Sequence, residues 1–232
     1  MNDSSRGVEI DPPYLYPEYR STRLRAPLQP LVELPPGALA MPGPRVPAGF
    51  VRDRDNDLTA HGAAAPLGEK MIVSGRLLDE GGRPLRRSLV EVWQANASGR
   101  YAHPGDTHDA PLDPNFTGIG RTFTDDEGWY RFVTVKPGAY PWQNHASAWR
   151  PQHIHFSLLG NAPVQRLVTQ MYFPGDPLLD VDPVYNSVPD AAARARMVAS
   201  LALQSGIEGI ALGYRFDIVL AGAHATPLEA RA

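Results

Sequence analysis

The chain has 232 residues, 43% hydrophobic and 20% charged, with a formal net charge of −3. These values suit a globular protein with one large core and show no polybasic stretch for nucleic acid or an anionic membrane. No apolar run approaches the roughly 20 residues that a membrane helix needs, and the opening Met1-Asn2-Asp3-Ser4-Ser5 lacks the charged-then-apolar pattern of a secretory signal. Cysteine is absent, so any metal must be held by nitrogen and oxygen, and a cytoplasmic location is expected.

Residues 1–68 are proline-rich, with Asp11-Pro12-Pro13, Leu34-Pro35-Pro36-Gly37 and Met41-Pro42-Gly43-Pro44. Such sequence resists both helix and central strand. Its tyrosines, leucines and valines suit an extended arm lying on this subunit or on a neighbour; the alternative is a disordered leader. Residues 69–232 are expected to form one folded domain. Within it, residues 71–78 alternate as a strand, Asp79-Glu80-Gly81-Gly82 turns the chain, and residues 88–94 return. A second pair follows, residues 121–124 and 129–135, joined by Asp125-Asp126-Glu127-Gly128 and stopped by Lys136-Pro137-Gly138. Residues 153–159, 167–173 and 214–220 read as further strands. Residues 190–204 are alanine-rich with apolar side chains at helical spacing, and Ser187 or Asp190 could cap a surface helix there. The predicted fold is all-β: a mixed or antiparallel β-sandwich with a long proline-rich N-terminal arm and one short surface helix.

The chemistry concentrates in Arg150-Pro151-Gln152-His153-Ile154-His155-Phe156. Residues two apart on a strand point the same way, so His153 and His155 can reach one metal without distorting the backbone. Alone the pair is a weak signal, since hydrogen-bonded structural histidines are common. Two tyrosines strengthen it. Tyr101 follows Ala97-Ser98-Gly99-Arg100 beyond the strand carrying Trp93 and Gln94, and Tyr140 sits between a Pro-Gly turn and Pro141-Trp142. Two hard, anionic phenolate oxygens with two imidazole nitrogens favour Fe(III) over Zn(II). A cupin-type site is disfavoured because Phe156-Ser157-Leu158-Leu159-Gly160 supplies no carboxylate. His-Glu-x-x-His and Gly-x-Ser-x-Gly are both absent. His61, His103, His108, His145 and His224 lack the paired spacing, although His103 and His108 lie near enough to Tyr101 to line the same cleft. A metal-free β-sandwich binding module and a zinc hydrolase using the two histidines are the competing readings.

The sequence resembles the intradiol ring-cleaving dioxygenases, and among them the iron-bearing β subunits. The likeness runs through Val90-Glu91-Val92-Trp93-Gln94-Ala95-Asn96, Gly99-Arg100-Tyr101 and Ala110-Pro111-Leu112-Asp113-Pro114-Asn115-Phe116. It continues in Lys136-Pro137-Gly138-Ala139-Tyr140-Pro141-Trp142, Trp149-Arg150-Pro151-Gln152-His153-Ile154-His155-Phe156 and Thr169-Gln170-Met171-Tyr172-Phe173, and ends in Tyr214-Arg215-Phe216-Asp217-Ile218-Val219-Leu220. It covers residues 65–220 well and the arm loosely. One departure is Thr107-His108-Asp109, where close relatives often carry Arg-Tyr; it bears on cleft detail rather than on the ligands.

The resemblance implies one non-haem Fe(III) per chain, bound by Tyr101, Tyr140, His153 and His155, and a hetero-oligomer with a homologous α subunit that lacks these ligands. It implies cleavage of 3,4-dihydroxybenzoate, chelated to the iron, with O2 to 3-carboxy-cis,cis-muconate, as part of aromatic catabolism. The alternative substrate is 4-sulfocatechol or another substituted catechol. Tyr140 is expected as the ligand that leaves and serves as internal base. Arg150 would stabilise negative charge on the ring, its bland alternative being a surface salt bridge. Gln170 would hydrogen-bond an iron-bound oxygen or serve as a structural amide. Trp93 and Trp142 would wall the ring, and Tyr19 would contact substrate at the cleft mouth.

Overall fold

The computed structural model describes residues 10–32, 46–47, 49–159 and 166–229. The runs Leu34-Pro35-Pro36-Gly37 and Met41-Pro42-Gly43-Pro44 lie outside the described residues. Eleven strands are found among them: β1 (Lys70–Leu78), β2 (Leu89–Trp93), β3 (Ile119–Phe123), β4 (Trp129–Val135), β5 (Tyr140–Pro141), β6 (Trp149–Arg150), β7 (His153–Leu159), β8 (Arg166–Tyr172), β9 (Ser200–Leu201), β10 (Leu212–Arg215) and β11 (Ile218–Val219). Two sheets make the sandwich. One runs β3-β2-β7-β8, antiparallel throughout. In the other, β1 pairs antiparallel with β4 on one side and parallel with β10 and β11 on its other side, with β9 on the far edge of β10. Strands β5 and β6 form a separate two-stranded ribbon.

The strands alternate as a half-buried sheet requires. On β4, Tyr130 and Phe132 are buried while Arg131 is exposed. Phe156 on β7 is fully buried and meets the rings of Tyr130, Phe132 and Phe216 at centroid distances of 5.7, 6.4 and 5.3 Å. This aromatic cluster, with Val73, Val90 and Leu158, joins the two sheets.

Three expectations change. β1 does not pair with β2, and β3 does not pair with β4, because the partners lie in opposite sheets. Both sets of apolar side chains thereby face one shared core. The strand expected at 214–220 is divided at Phe216-Asp217, where the Asp217 carboxylate takes the Arg76 N–H (2.8 Å) in place of a backbone carbonyl. The helix expected over 190–204 stops at Ala195: α3 (Ala191–Ala195) is capped by Asp190, whose side chain accepts from Ala193 N. Beyond it the chain is captured by the end of β8, with Tyr172 N donating to Met197 O (2.8 Å) and Ala199 N to Tyr172 O (2.9 Å). Tertiary pairing overrides helix propensity there. Two other short helices, α1 (Thr22–Arg25) and α2 (Pro183–Asn186), accompany it.

Two stretches of the arm pack on this chain, one around Arg20 and Ser21 and one around Asn56 and Leu58. Arg20 N and Ser21 N donate to the backbone and side-chain oxygens of Asn144 (2.9 and 2.7 Å). Asn56 accepts from Val133 N, and Leu58 is fully buried in the main core. Phe156→Ala should lower the unfolding free energy of the metal-free protein by about 3–5 kcal/mol in denaturant titration, as loss of a fully buried ring does; a change under 1 kcal/mol would show that the two sheets do not depend on this contact.

Candidate metal centre

The four predicted ligands converge from three parts of the fold. Just beyond β2, Asn96 organises a tight turn: its side-chain oxygen accepts from Ser98 N and Arg100 N (3.0 and 2.9 Å), and its backbone oxygen accepts from both Gly99 N and Gly138 N. Gly99 has φ +80° and sits against the Ala139 carbonyl, where a Cβ would collide. This glycine contact draws the loop carrying Tyr101 against the loop carrying Tyr140. The Asp106 carboxylate accepts from Tyr101 N (2.7 Å) and fixes the backbone at that residue. Tyr140, on β5, lies opposite Arg150 on β6. His153 and His155 begin β7, opposite Tyr172 and Gln170 on β8.

The rings form one cluster. Tyr101 and Tyr140 meet edge to face at 5.4 Å, Tyr140 and His153 at 5.5 Å, and His153 and His155 at 4.9 Å. Each imidazole is held through its far nitrogen. His153 Nδ1 lies 2.7 Å from the Pro151 carbonyl, which can only accept, so the proton sits on Nδ1 and the lone pair on Nε2. His155 Nδ1 lies 2.8 Å from a Glu229 carboxylate oxygen, with the same consequence.

Two of these donor atoms, Tyr101 Oη and His153 Nε2, are buried without a hydrogen-bond partner among the described residues. Such atoms cost about 1–3 kcal/mol each unless something else satisfies them. Burial holds the His153 imidazole well below its ordinary range, with Arg150 and His155 adding to the effect, so it is a neutral nitrogen donor. Burial also pushes the Tyr101 phenol well above its usual range, reinforced by Tyr140. For Tyr140 burial raises the phenol too, while Arg150 pulls the other way. A multiply charged cation bound between them would reverse this balance and favour the phenolate form of both oxygens. Among the described residues no group of three or more His, Asp or Glu side chains could hold a metal. The donor set fits a hard, trivalent ion.

Behind the ligands lies a buried polar chain. Arg150, 2% exposed, makes a two-pronged pair with Asp182 (2.7 and 3.1 Å) and donates to Gln170 Oε1 (2.6 Å). Gln170 Nε2 donates to Glu229 (2.9 Å). Tyr172 Oη sits between Gln170 and Asp182 (2.8 and 3.1 Å). Arg150 is thus buried, and both ends of the Gln170 amide are engaged by protein. Burial, the largest single influence, opposes the charge on Glu229, yet His155, Gln170 and Arg150 together outweigh it and hold its carboxyl below the ordinary value.

A cavity of about 830 Å³ opens over the cluster, lined by Trp93, Tyr101, Tyr140, Trp142 and His155, with His103 and His108 also on its wall. Trp93 stacks on His155 at 4.6 Å, nearly parallel. The Arg150 guanidinium lies 5.0 Å from the Trp142 ring, and Tyr19 meets Trp142 edge-on at 5.0 Å. Tyr19, Arg150, Gln170 and His153 are not part of this lining. Asp106, Tyr172, Asp182 and Glu229 were not among the residues expected from sequence. The last two are single acids in segments with no motif, and only three-dimensional proximity reveals them.

The sequence matches the family described as "Dioxygenase" over residues 43–222, and residues 9–37 match "Protocatechuate 3,4-dioxygenase beta subunit N terminal". It is 56% identical over 220 residues to the protocatechuate 3,4-dioxygenase beta chain of Burkholderia cepacia, covering 94% of this chain and 93% of that one. The protocatechuate 3,4-dioxygenase alpha chain of Pseudomonas putida is 32% identical over 157 residues, covering 67% and 73%. The fold is shared with 3-chlorocatechol 1,2-dioxygenase of Rhodococcus opacus 1CP, at a TM-score of 0.56 and 22% identity over 78% of this chain and 70% of that one. The chain belongs to the intradiol dioxygenase family, whose members use non-haem iron.

Asp182→Ala should destabilise the protein by about 3–5 kcal/mol, because the Arg150 charge is left buried without its carboxylate. Chemical denaturation measures this directly, and an unchanged midpoint would mean that Arg150 finds another anion.

Proposed function

We propose that this chain is the iron-bearing subunit of a protocatechuate 3,4-dioxygenase. In this reading it opens the ring of 3,4-dihydroxybenzoate between the two hydroxyl-bearing carbons, and both atoms of O2 enter the product, 3-carboxy-cis,cis-muconate. One observation carries it: two imidazoles with their Nδ1 atoms tied back and two phenols converge beneath an aromatic cavity, and Tyr101 Oη and His153 Nε2 are buried there without a partner among the described residues. The identity to the Burkholderia cepacia beta chain supports the substrate. One Fe(III) per chain would be held by Tyr101 Oη, Tyr140 Oη, His153 Nε2 and His155 Nε2. Bound there, it supplies a Lewis-acidic, electron-accepting centre that chelates the catechol and makes the ring reactive toward O2.

The protein's own groups do the rest. Tyr140 Oη, as the phenolate, takes one proton from a catechol hydroxyl and gives up its ligand place as the neutral phenol, while the neighbouring Arg150 charge steadies the anionic oxygens nearby. Trp93 and Trp142 hold a flat ring between apolar faces and keep water out. Tyr19 supports Trp142 through its edge-on contact. Gln170 acts through the groups it binds, Arg150 and Glu229.

We also assign residues 1–68 to contact with a homologous alpha chain, leaving 69–232 as the catalytic unit. Leu24, Leu28 and Val32 are 92%, 97% and 88% exposed, an apolar surface that suits a partner. Leu24→Glu combined with Leu28→Glu should shift the purified complex toward free subunits in size-exclusion chromatography; an unchanged profile would place the partner elsewhere.

Ferric tyrosinate absorbs visible light, so the purified protein should be reddish. Tyr140→Phe should alter that band and lower kcat by about 10²-fold or more. Retention of both the colour and full kcat would remove Tyr140 from the ligand set. Steady-state rates of the assembled heteromer on protocatechuate, catechol and 4-sulfocatechol test the substrate, with the highest kcat/KM expected for protocatechuate and a preference for the sulfonate contradicting it.

A further inference from the structure

We propose that Glu229 is a positioning residue for the metal centre: it fixes His155 as a ligand and couples it, through Gln170, to Arg150. The inference rests on the iron-binding reading above. One carboxylate oxygen, Glu229 Oε2, receives both His155 Nδ1 (2.8 Å) and Gln170 Nε2 (2.9 Å). A carboxylate accepts and does not donate, so it selects the Nδ1–H tautomer and leaves the His155 Nε2 lone pair for the cavity side. A charged acceptor behind a ligating imidazole also makes the ring a stronger donor. His153 has only a neutral carbonyl in the same place. The two histidines are therefore unequal ligands, and His155 is the one backed by charge.

Glu229 reaches this position on a strap that follows β11. Ala225 and Thr226 are almost fully buried, and Thr226 N donates to Val219 O (2.9 Å). Pro227 O accepts from Thr169 Oγ1 (2.7 Å), and Glu229 N donates to Val168 O (2.9 Å), so the strap runs along β8 beside Gln170. Leu228 N donates to the Asp11 side chain (3.0 Å), which brings the start of the arm to the same point. The strap is held at four successive residues, and the Glu229 side chain is the group it delivers to the site. The remote position of this acid, 74 residues from His155, explains why no local motif announces it.

The test uses the assembled iron-loaded protein, with Glu229→Gln and Glu229→Ala beside the wild type. Three quantities are read: the visible absorption maximum, the rate of iron release to an excess of a ferric chelator, and the thermal midpoint of the iron-free protein. Glu229→Ala should release iron about 10–100-fold faster than wild type. Glu229→Gln, which keeps the shape and loses the charge, should fall between them, and both should shift the absorption maximum. Loss of thermal stability in the iron-free variants, with iron release and colour unchanged, would reduce Glu229 to an anchor for the strap and overturn the proposal. Should Glu229→Ala fail to fold, Glu229→Gln alone decides, through faster release and a moved band or neither. A wild type that binds no iron and shows no colour would instead refute the parent reading, and this inference with it.

Discussion

Bringing two phenols and two imidazoles together with polar atoms left buried and unpaired is unfavourable unless a cation satisfies them. Protein interiors seldom leave polar atoms without partners, yet Tyr101 Oη and His153 Nε2 are both in that condition among the described residues. The nearby hydrogen bonds do not relieve the problem; they sharpen it. Pro151 and Glu229 take the outward nitrogens of the histidines, so the inward nitrogens are left as lone pairs. Every other feature of the region makes sense as a means of holding that arrangement.

The sandwich supplies rigidity where it is needed. Strand parity on β7 aligns the two histidines, and the ladder to β8 sets Gln170 opposite His155 and Tyr172 opposite His153. The tyrosines come from loops, which need separate control. Asn96 ties both loops through one backbone oxygen, and the absence of a side chain at Gly99 permits their close approach. Arg150 then joins the layers: it lies beside Tyr140 on the ribbon, under Trp142, and across from Asp182 on the segment leading into α2. A single buried cation thus touches the candidate ligands, the aromatic wall and the polar chain behind them.

Much of this was legible in the residues. The strands β4 and β7 have the bounds that alternation predicts, and the His153 and His155 pairing follows from strand geometry alone. Other elements depended on partners that a local pattern does not contain. The alanine-rich segment after Asp190 reads as a helix, but the open end of β8 takes its second half. Likewise a glycine turn after β1 suggests a hairpin, whereas the chain crosses to the opposite sheet because both apolar faces must share one core. The candidate ligands stood out because each has a recognisable setting. Asp182 and Glu229 did not, because an isolated acid acquires meaning only when folding brings it to a cation or an imidazole.

The central claim is that one trivalent iron is gripped by Tyr101, Tyr140, His153 and His155. The direct measurement is a crystal structure of the iron-loaded protein with anomalous data collected on either side of the iron absorption edge. The account predicts one strong iron peak in contact with Tyr101 Oη, Tyr140 Oη, His153 Nε2 and His155 Nε2. A featureless map at that position, or a peak bound by a different set of side chains, would contradict it.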